Sequence, residues 1–134
     1  MARLAFGDQL PKVDTPPPGP RARQLCRDLA NHEAPGINTL GSGSATLVWQ
    51  EARGSNVVDV DGNLYLDLTA GFGVAAVGHR HPEVVDAIQR QAQRLIHGLG
   101  DVHAHPLRVQ LARELCRLSP IDEPKVYFAA SGSD

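Results

Sequence analysis

The sequence lacks the features that mark membrane-bound, secreted or nucleic-acid-binding proteins. Its 134 residues carry 13 basic and 15 acidic side chains, a formal net charge of -2, so no attraction to nucleic acid or an anionic membrane is expected. The longest mostly apolar stretch, residues 64–77, is interrupted by Asp67 and by glycines and is shorter than the roughly 20 residues that span a bilayer. The N-terminus turns proline-rich instead of continuing into an apolar secretion signal. We therefore predict a cytoplasmic protein without a membrane partner.

Cysteine and aromatic residues are also scarce. Cys26 and Cys116 are the only two cysteines, and no CxxC or Cys/His spacing of a metal site surrounds them. Free thiols in a reducing compartment are therefore expected rather than a disulfide. Aromatic residues make up 4% of the chain, whereas glycine (13) and proline (10) are frequent, a composition typical of one small globular domain with many turns.

The first half of the chain predicts an extended arm, a helix and a β-hairpin. Five prolines within residues 1–20 remove backbone donors and favour an extended arm. Apolar residues at helical spacing predict a helix over 21–33. The dipeptide Asp61-Gly62 separates two alternating runs and supplies the positive backbone angles of a tight turn, which predicts strands at about 57–60 and 64–68.

The second half predicts a glycine-rich loop, two helices and a strand. The loop precedes Pro82, which suits the first position of a helix predicted to run to His97. A second helix is predicted from Pro106 to about residue 118 because leucines repeat on one stripe. Residues 125–130 are a short apolar run with β-forming side chains, which predicts a strand buried on both faces.

The residues after this predicted strand suggest a phosphate site. A buried strand that turns through Ser131, Gly132 and Ser133 into a helix would direct several free backbone N–H groups at one point. Asp134 would complete a capping box with Ser131. A Ser-Gly-Ser sequence is also common in plain turns, so these residues alone leave both interpretations open.

From Trp49 onward the sequence resembles the class III aminotransferases, enzymes of fold type I that use pyridoxal phosphate and include the ornithine and 4-aminobutyrate aminotransferases. The resemblance covers residues 45 to 134 and rests on an ordered series of motifs. They are Asp61-Gly62, Tyr65-Leu66-Asp67, Gly78-His79 with His81-Pro82, and Phe128 followed by Ser131-Gly132-Ser133. In one position the chain departs from the family pattern, because Asp134 stands where members usually have glutamate.

The resemblance implies an α/β fold type I architecture and divides the chain into three parts. Residues 1–20 are expected to form the proline-rich arm. Residues 21–80 would be the N-terminal part of the small domain, with helix, hairpin and glycine-rich loop. Residues 81–134 would be the start of a truncated large α/β domain that binds the cofactor.

The resemblance also implies the cofactor, the substrates and the residues that would bind them. Pyridoxal 5'-phosphate would be held through its phosphate by Ser131, Gly132 and Ser133. An amino donor, either an amine or an ω-amino acid, and a 2-oxo acid acceptor are the expected substrates. Phe72 matches a loop position that lies near the substrate in the family, although a phenylalanine in an apolar loop is also typical of core packing. Homodimers are typical of the family.

No catalytic residue of the family falls within these 134 residues. A Schiff-base lysine is needed to anchor the cofactor, and the only lysines are Lys12 in the arm and Lys125 at the start of the last predicted strand. We interpret both as surface charges. The sequence thus predicts the N-terminal fragment of an aminotransferase, which does not catalyse transamination by itself.

Four alternatives stay open from the sequence. An aminomutase or a racemase of the same family would use the same cofactor. The pairs His79/His81 and His103/His105 could bind zinc, although both pairs adjoin prolines and no cysteine accompanies them. The glycines of residues 39–45 could hold a nucleotide phosphate, although no suitable strand precedes them. A stand-alone interaction module would need a closed core, which so few elements hardly provide.

Overall fold

The structure is a computed structural model that describes residues 5–34, 45–100 and 102–129. The described residues form these elements in order: α1 Pro20–His32, β1 Trp49–Arg53, β2 Asn56–Asp59, β3 Leu64–Leu66, α2 Pro82–Ala92 and α3 Pro106–Leu118. The chain divides into two compact units, Met1–Ala87 and Ile88–Asp134.

An antiparallel sheet in the order β1-β2-β3 forms the centre of the first unit. In β2, Val57 lies opposite Ala52 of β1 and Tyr65 of β3, and only 1% of its surface is exposed. The predicted hairpin is confirmed as β2 and β3. The sequence patterns do not predict β1, because it is an edge strand whose side chains are mostly exposed and do not alternate.

The turn of the hairpin differs from the predicted one. Asp59 donates its N–H to the carbonyl of Asn63 at 3.0 Å, so three residues form the loop instead of two. Within this fully described turn only Gly62 has a positive φ, +88°, and its N–H donates to the carbonyl of Asp59 at 3.1 Å. A three-residue loop that ends in a left-handed glycine is a common hairpin connection. The expectation of a positive angle at Asp61 is therefore wrong.

The hairpin encloses a charged side chain. Asp59 has no exposed surface, and its carboxylate accepts hydrogen bonds from the N–H groups of Asp61 and Asn63, the Asn63 amide and the Tyr65 hydroxyl, all at 2.8–2.9 Å. Burial by itself raises the pKa of Asp59, but these hydrogen bonds outweigh it and hold the pKa below its usual 3.8. The pKa of Tyr65 is raised, first by burial and then by its bond to this carboxylate.

Two asparagines fasten the N-terminal segment, residues 5–19, to the hairpin. Asn56 accepts a hydrogen bond from the N–H of Gln9 at 2.8 Å and donates one to its carbonyl at 2.9 Å. Asn63 binds the N–H and the carbonyl of Thr15 in the same way, both at 2.9 Å. A turn and bends interrupt the extended arm that its prolines predict, and the backbone of Lys12 pairs with that of Leu64, so the asparagine side chains supply part of the partners that the segment needs.

Helix α1 starts where expected, and its cap comes from another element. Its N-cap residue, Gly19, offers no side chain to the free N–H groups of the first turn. Asp61 of the hairpin turn accepts hydrogen bonds from the N–H groups of Arg21 and Ala22 at 2.9 and 3.0 Å. The helix is thereby tied to the sheet.

The last two helices differ in how well their ends were predicted. Helix α3 begins and ends as expected, and His105 caps it by accepting from the N–H of Leu107 at 3.2 Å. Helix α2 ends at Ala92 rather than His97, because the N–H of Arg94 turns to the carbonyl of Gln91 at 3.0 Å in a tighter turn. Neither helix has a buried residue among those described.

The predicted strand at 125–130 is not present in its described part, residues 125–129. Tyr127 is 83% exposed, whereas Phe128 lies under the guanidinium of Arg108 at 5.2 Å. A strand has to pair with at least one neighbouring strand, and burial of both its faces needs a covering layer on each. The described residues of the second unit include no strand that could pair with it.

Candidate functional site

The glycine-rich loop predicted from the sequence is confirmed, and its two ends are fixed to neighbouring residues of the turn between β1 and β2. We define the glycine loop as residues 67–81. At its start, the N–H of Asp67 donates to the carbonyl of Ser55 at 2.8 Å. At its end, His79 and Gly54 exchange two backbone hydrogen bonds of 2.9 Å. The intervening residues therefore project from one fixed base, as in other compact loops.

The Asp67 carboxylate organises the beginning of the glycine loop. One oxygen accepts from the N–H and the hydroxyl of Thr69 at 2.9 and 2.7 Å. The other accepts from the N–H of Gly71 at 2.8 Å and lies 2.8 Å from Nε2 of His79. Since a carboxylate only accepts, Nε2 of His79 carries the hydrogen. Only 3% of the Asp67 side chain is exposed.

These contacts stabilise the charged form of Asp67. The Thr69 hydroxyl contributes most, followed by His79, and together they lower the pKa of Asp67 from 3.8 to about 2. Asp67 is therefore ionised at neutral pH and holds its hydrogen-bond donors as a fixed negative charge.

Four successive residues of the glycine loop, 70–73, form a left-handed turn. Ala70, Gly71, Phe72 and Gly73 have φ angles of +51°, +57°, +56° and +90°. The N–H of Gly73 donates to the carbonyls of Thr69 and Ala70 at 3.1 and 3.0 Å. Left-handed helical geometry costs roughly 1–2 kcal/mol for each residue other than glycine. Backbone strain of this kind is concentrated at ligand-binding sites, which makes the turn a candidate functional element.

Phe72 is presented by this turn and not by packing. Its side chain is 96% exposed, which is more than any other large hydrophobic side chain among the described residues. The interpretation of Phe72 as a core residue is therefore wrong for the described part of the chain. The role of Phe72 at the substrate stays a prediction.

His79 connects the glycine loop to β1. The edge of its ring meets the Trp49 ring at a centroid distance of 5.8 Å and an angle of 86°. Edge-to-face pairs of this kind are a favoured arrangement of rings. His79 is therefore held on three sides, by Trp49, by the Gly54 backbone and by the Asp67 carboxylate.

The histidine pairs do not form a metal site in the described part of the chain. His79 binds Asp67 and His105 caps α3, so one member of each pair has a local structural role. Among the residues that the structure describes, no three His, Cys, Asp or Glu side chains come together in a way that could hold a metal ion.

The three predicted cofactor residues, Ser131, Gly132 and Ser133, lie outside the described residues, as does Asp134. Most of the alternative glycine segment, residues 39–44, is outside them too. Of the two lysines, Lys12 is exposed and forms a 2.6 Å ion pair with Asp14, and Lys125 is also exposed. Their interpretation as surface charges agrees with these positions.

Sequence reasoning missed the residue that organises the loop. In the sequence, Asp67 stands out only as part of the Tyr65-Leu66-Asp67 motif, although it follows a strand and precedes Thr69 and Gly71. An Asp that is followed two residues later by a free N–H is the pattern of an Asx turn, in which the side chain binds nearby backbone. This pattern could have identified Asp67.

The family profile described as Aminotransferase class-III matches residues 39–134. The chain belongs to the class III aminotransferase family. The resemblance drawn from the sequence motifs is thereby confirmed, and with it the assignment of the chain to the α/β fold type I enzymes. Class III aminotransferases depend on pyridoxal phosphate.

Relatives of this class III chain catalyse different reactions. An alanine/serine racemase of Pyrococcus horikoshii is 35% identical over 127 residues, which cover 94% of this chain and 26% of the racemase. An acetylornithine aminotransferase of Methanocaldococcus jannaschii is 42% identical over 92 residues, 69% of this chain and 22% of that enzyme. The chain thus spans about a quarter of the length of these relatives.

The class III fold is also found among solved structures. A glutamate-1-semialdehyde-aminomutase from Pseudomonas aeruginosa matches with a TM-score of 0.60 and 32% identity, over 73% of this chain and 22% of the aminomutase.

Among the described residues, no helix is both long and apolar enough to cross a membrane.

Proposed function

We propose that these residues form the N-terminal portion of a pyridoxal-phosphate-dependent aminotransferase. The reaction is the exchange of an amino group between an amine or ω-amino acid and a 2-oxo acid. The family match over residues 39–134 carries this proposal. The strained, exposed glycine loop supports it, because strain is retained where a protein presents side chains to a ligand.

The exposed apolar faces support the proposal that the chain is part of a larger fold. Leu107, Leu111 and Leu115 share one stripe of α3 and are 49%, 49% and 42% exposed. Such a stripe is normally covered by another layer of the protein. We propose that residues 1–20 are the arm, 21–80 part of the small domain and 81–134 the start of the large domain, whose remaining part would cover the stripe.

Ser131, Gly132 and Ser133 are the residues proposed to hold the cofactor. Backbone N–H groups and a serine hydroxyl are suitable donors to a phosphate ester. When bound, pyridoxal phosphate supplies an electron sink for the substrate carbon. Neither Lys12 nor Lys125 is proposed to anchor it, so the 134-residue polypeptide by itself is expected to be inactive.

Phe72 is proposed to limit the size of the substrate. An exposed aromatic ring on a rigid turn narrows a pocket that closes over it. Replacing Phe72 with alanine should therefore favour bulkier amino donors, by about tenfold in kcat/KM for a few added carbon atoms.

A racemase or aminomutase is the second candidate function. The similarity to the alanine/serine racemase extends over 94% of this chain, and the aminomutase shares its fold. A racemase inverts an enantiopure amino acid without any 2-oxo acid, whereas an aminotransferase needs one. Optical rotation with and without an acceptor separates the two reactions.

A homodimer and a cytoplasmic location are further proposals. The exposed apolar faces could be covered in part by a second copy of the full-length protein. Cys26 and Cys116 are both free and half-buried, as expected in a reducing compartment. The small net charge gives no support to a nucleic-acid partner.

The test begins with the coding DNA beyond the Asp134 codon. The longest open frame and the 134-residue polypeptide should be expressed side by side and assayed for bound pyridoxal phosphate and amino transfer. We expect both in the longer protein and no amino transfer in the shorter one. A longer protein that binds no pyridoxal phosphate would contradict the proposal.

Two variants make the cofactor assay specific. Gly132→Val places a branched side chain where the phosphate would approach the backbone and should abolish cofactor retention. Gly98→Val is the matched control, because Gly98 is unrelated to the proposed site. Equal loss of cofactor in both variants would mean that the effect comes from misfolding.

A further inference from the structure

We propose that Asp67 is a positioning residue, whose carboxylate holds the left-handed turn that presents Phe72 to the substrate. The inference rests on the proposed function for its consequence in catalysis. Its structural part, the control of the turn by Asp67, depends only on the contacts described above.

The carboxylate bridges the first strained residue of the turn. Its two oxygens bind Thr69 on one side of Ala70 and the N–H of Gly71 on the other, at 2.7–2.9 Å. Ala70 is thus enclosed between two fixed points, and its φ of +51° is set by them. Without the carboxylate, only backbone hydrogen bonds from the N–H groups of Gly73 and Ala75 to the Ala70 carbonyl would oppose the preference of alanine for the right-handed region.

Among the described residues, the backbone alone sets the position of Phe72. Since 96% of its surface is exposed, packing against these residues does not hold the ring. A turn that relaxed at Ala70 would therefore move Phe72 as well, and the ring would lose its fixed direction. A side chain that is not held by packing keeps one direction only if its backbone is held in a fixed conformation.

His79 connects the Asp67 carboxylate to the sheet. Its Nε2 hydrogen points at Asp67, its ring is held by Trp49, and its backbone pairs with Gly54. The Asp67 side chain is thereby oriented from the sheet and not only from the loop. His79 is a second positioning residue that acts through Asp67.

The test uses the full-length protein and two amino donors, one small and one with a bulky side chain. Asp67→Asn keeps the shape of the side chain, but its amide nitrogen cannot accept from the donors of the oxygen that it replaces, either Thr69 or Gly71 and His79. We expect the ratio of kcat/KM for the two donors to change by about tenfold, mainly through KM. Asp122→Asn, at an exposed carboxylate, removes the same charge and should leave the ratio unchanged.

A second-site change distinguishes positioning from general stability. Ala70→Gly in the Asp67→Asn background should return the donor ratio toward the wild-type value, because glycine adopts a positive φ at little cost. Ala75→Gly is the matched control, since Ala75 is not among the residues with positive φ. A loss caused only by lower stability would not be repaired at position 70 and would affect both donors alike.

An activity-free readout is chymotrypsin cleavage after Phe72, identified by mass spectrometry. A protease needs an extended substrate, so cleavage reports how often the turn opens. We expect about tenfold faster cleavage in Asp67→Asn than in wild type, and slower cleavage again when Ala70→Gly is added. Thr69→Val is the milder variant and should change cleavage in the same direction if Asp67→Asn does not fold.

The outcomes separate the two proposals. A wild-type protein without amino transfer contradicts the proposed function, and cleavage then decides whether Asp67 holds the turn. Unchanged cleavage in Asp67→Asn and Thr69→Val would overturn the inference. An active enzyme whose donor ratio is unchanged by Asp67→Asn would overturn it too, as would a ratio that Ala75→Gly restores as well as Ala70→Gly.

Discussion

The carboxylate of Asp61 occupies the space that a side chain on Gly19 would fill. A Cβ built on Gly19 would overlap with the Asp61 carboxyl carbon and lie 2.5 and 2.6 Å from its oxygens. The φ of Gly19 is -73°, so any residue could adopt its backbone conformation. Glycine is therefore needed at this position for space, because the cap of α1 comes from the hairpin.

Removal of this cap should lower stability. Gly19→Ala displaces the Asp61 carboxylate and Asp61→Ala deletes it, and each change should cost about 0.5–2 kcal/mol of the free energy of unfolding. Since both remove the same two hydrogen bonds, the double variant should cost clearly less than the sum. Urea unfolding of the four proteins measures this. Additive losses would contradict a shared cap.

Acid should weaken the contribution of Asp67 in a defined window. Because the folded pKa of Asp67 is about 2 and its usual value is 3.8, its carboxylate stabilises the fold above pH 3.8 and loses this effect as pH falls through about 2. The stability difference between wild type and Asp67→Asn should therefore shrink across this interval. Urea midpoints at a series of pH values give the measurement, with Asp122→Asn, at an exposed carboxylate, as the charge-matched control.

The asparagine bridges should hold the N-terminal segment. Asn56→Ala removes the two hydrogen bonds that the Asn56 amide makes with the N–H and the carbonyl of Gln9, which should cost about 1–3 kcal/mol. Hydrogen exchange at the Gln9 amide should accelerate more than exchange in β2. Asn31→Ala, at an exposed position of α1, is the control and should change stability by less than about 0.5 kcal/mol. Unaltered Gln9 exchange in Asn56→Ala would show that the bridge is unimportant.

Three glycines should respond differently to alanine. Gly54 has a φ of +56°, and a Cβ there would lie 2.8 Å from the carbonyl oxygen of Gly7. Gly73 has a φ of +90° with open space around it, and Gly98 has neither constraint. Alanine should thus cost about 1–2 kcal/mol at Gly73, more at Gly54 and little at Gly98. Thermal unfolding gives the ranking, and equal losses at Gly54 and Gly73 would contradict the close approach.

Elements with a strong local signal were predictable from the sequence. Asp61-Gly62 between alternating runs predicted the hairpin, and prolines 82 and 106 marked the starts of α2 and α3. The details of the turn were not predictable in this way, because Asp61 is used by α1, which lies far away in sequence. A side chain engaged by another element changes the conformation that its own neighbours suggest.

Elements that depend on partners were predicted poorly. Residues 125–130 have the composition of a buried strand, but composition does not supply the neighbouring strands that a ladder needs. Strand β1 has the opposite property, since it is stabilised by pairing with β2 while its own side chains stay exposed.

The candidate site also contains residues that a local sequence signal identifies and residues that depend on distant partners. Phe72 was identified through a family resemblance, and the glycine loop through its composition. Asp67 and His79 lie 12 positions apart in sequence and were not identified as partners, because the residues between them carry no periodic signal that would bring them together.

The strands β2 and β3, which precede the glycine loop, can pair in only one register. Sliding β3 by one residue along β2 would carry Asn63 and Tyr65 away from Asp59 and leave this buried carboxylate with one of its four hydrogen-bond donors. Asp67 directly follows β3, so that alignment also sets the point at which the loop departs. The register therefore also fixes how far Phe72 lies from the sheet, and a shifted register would change that distance.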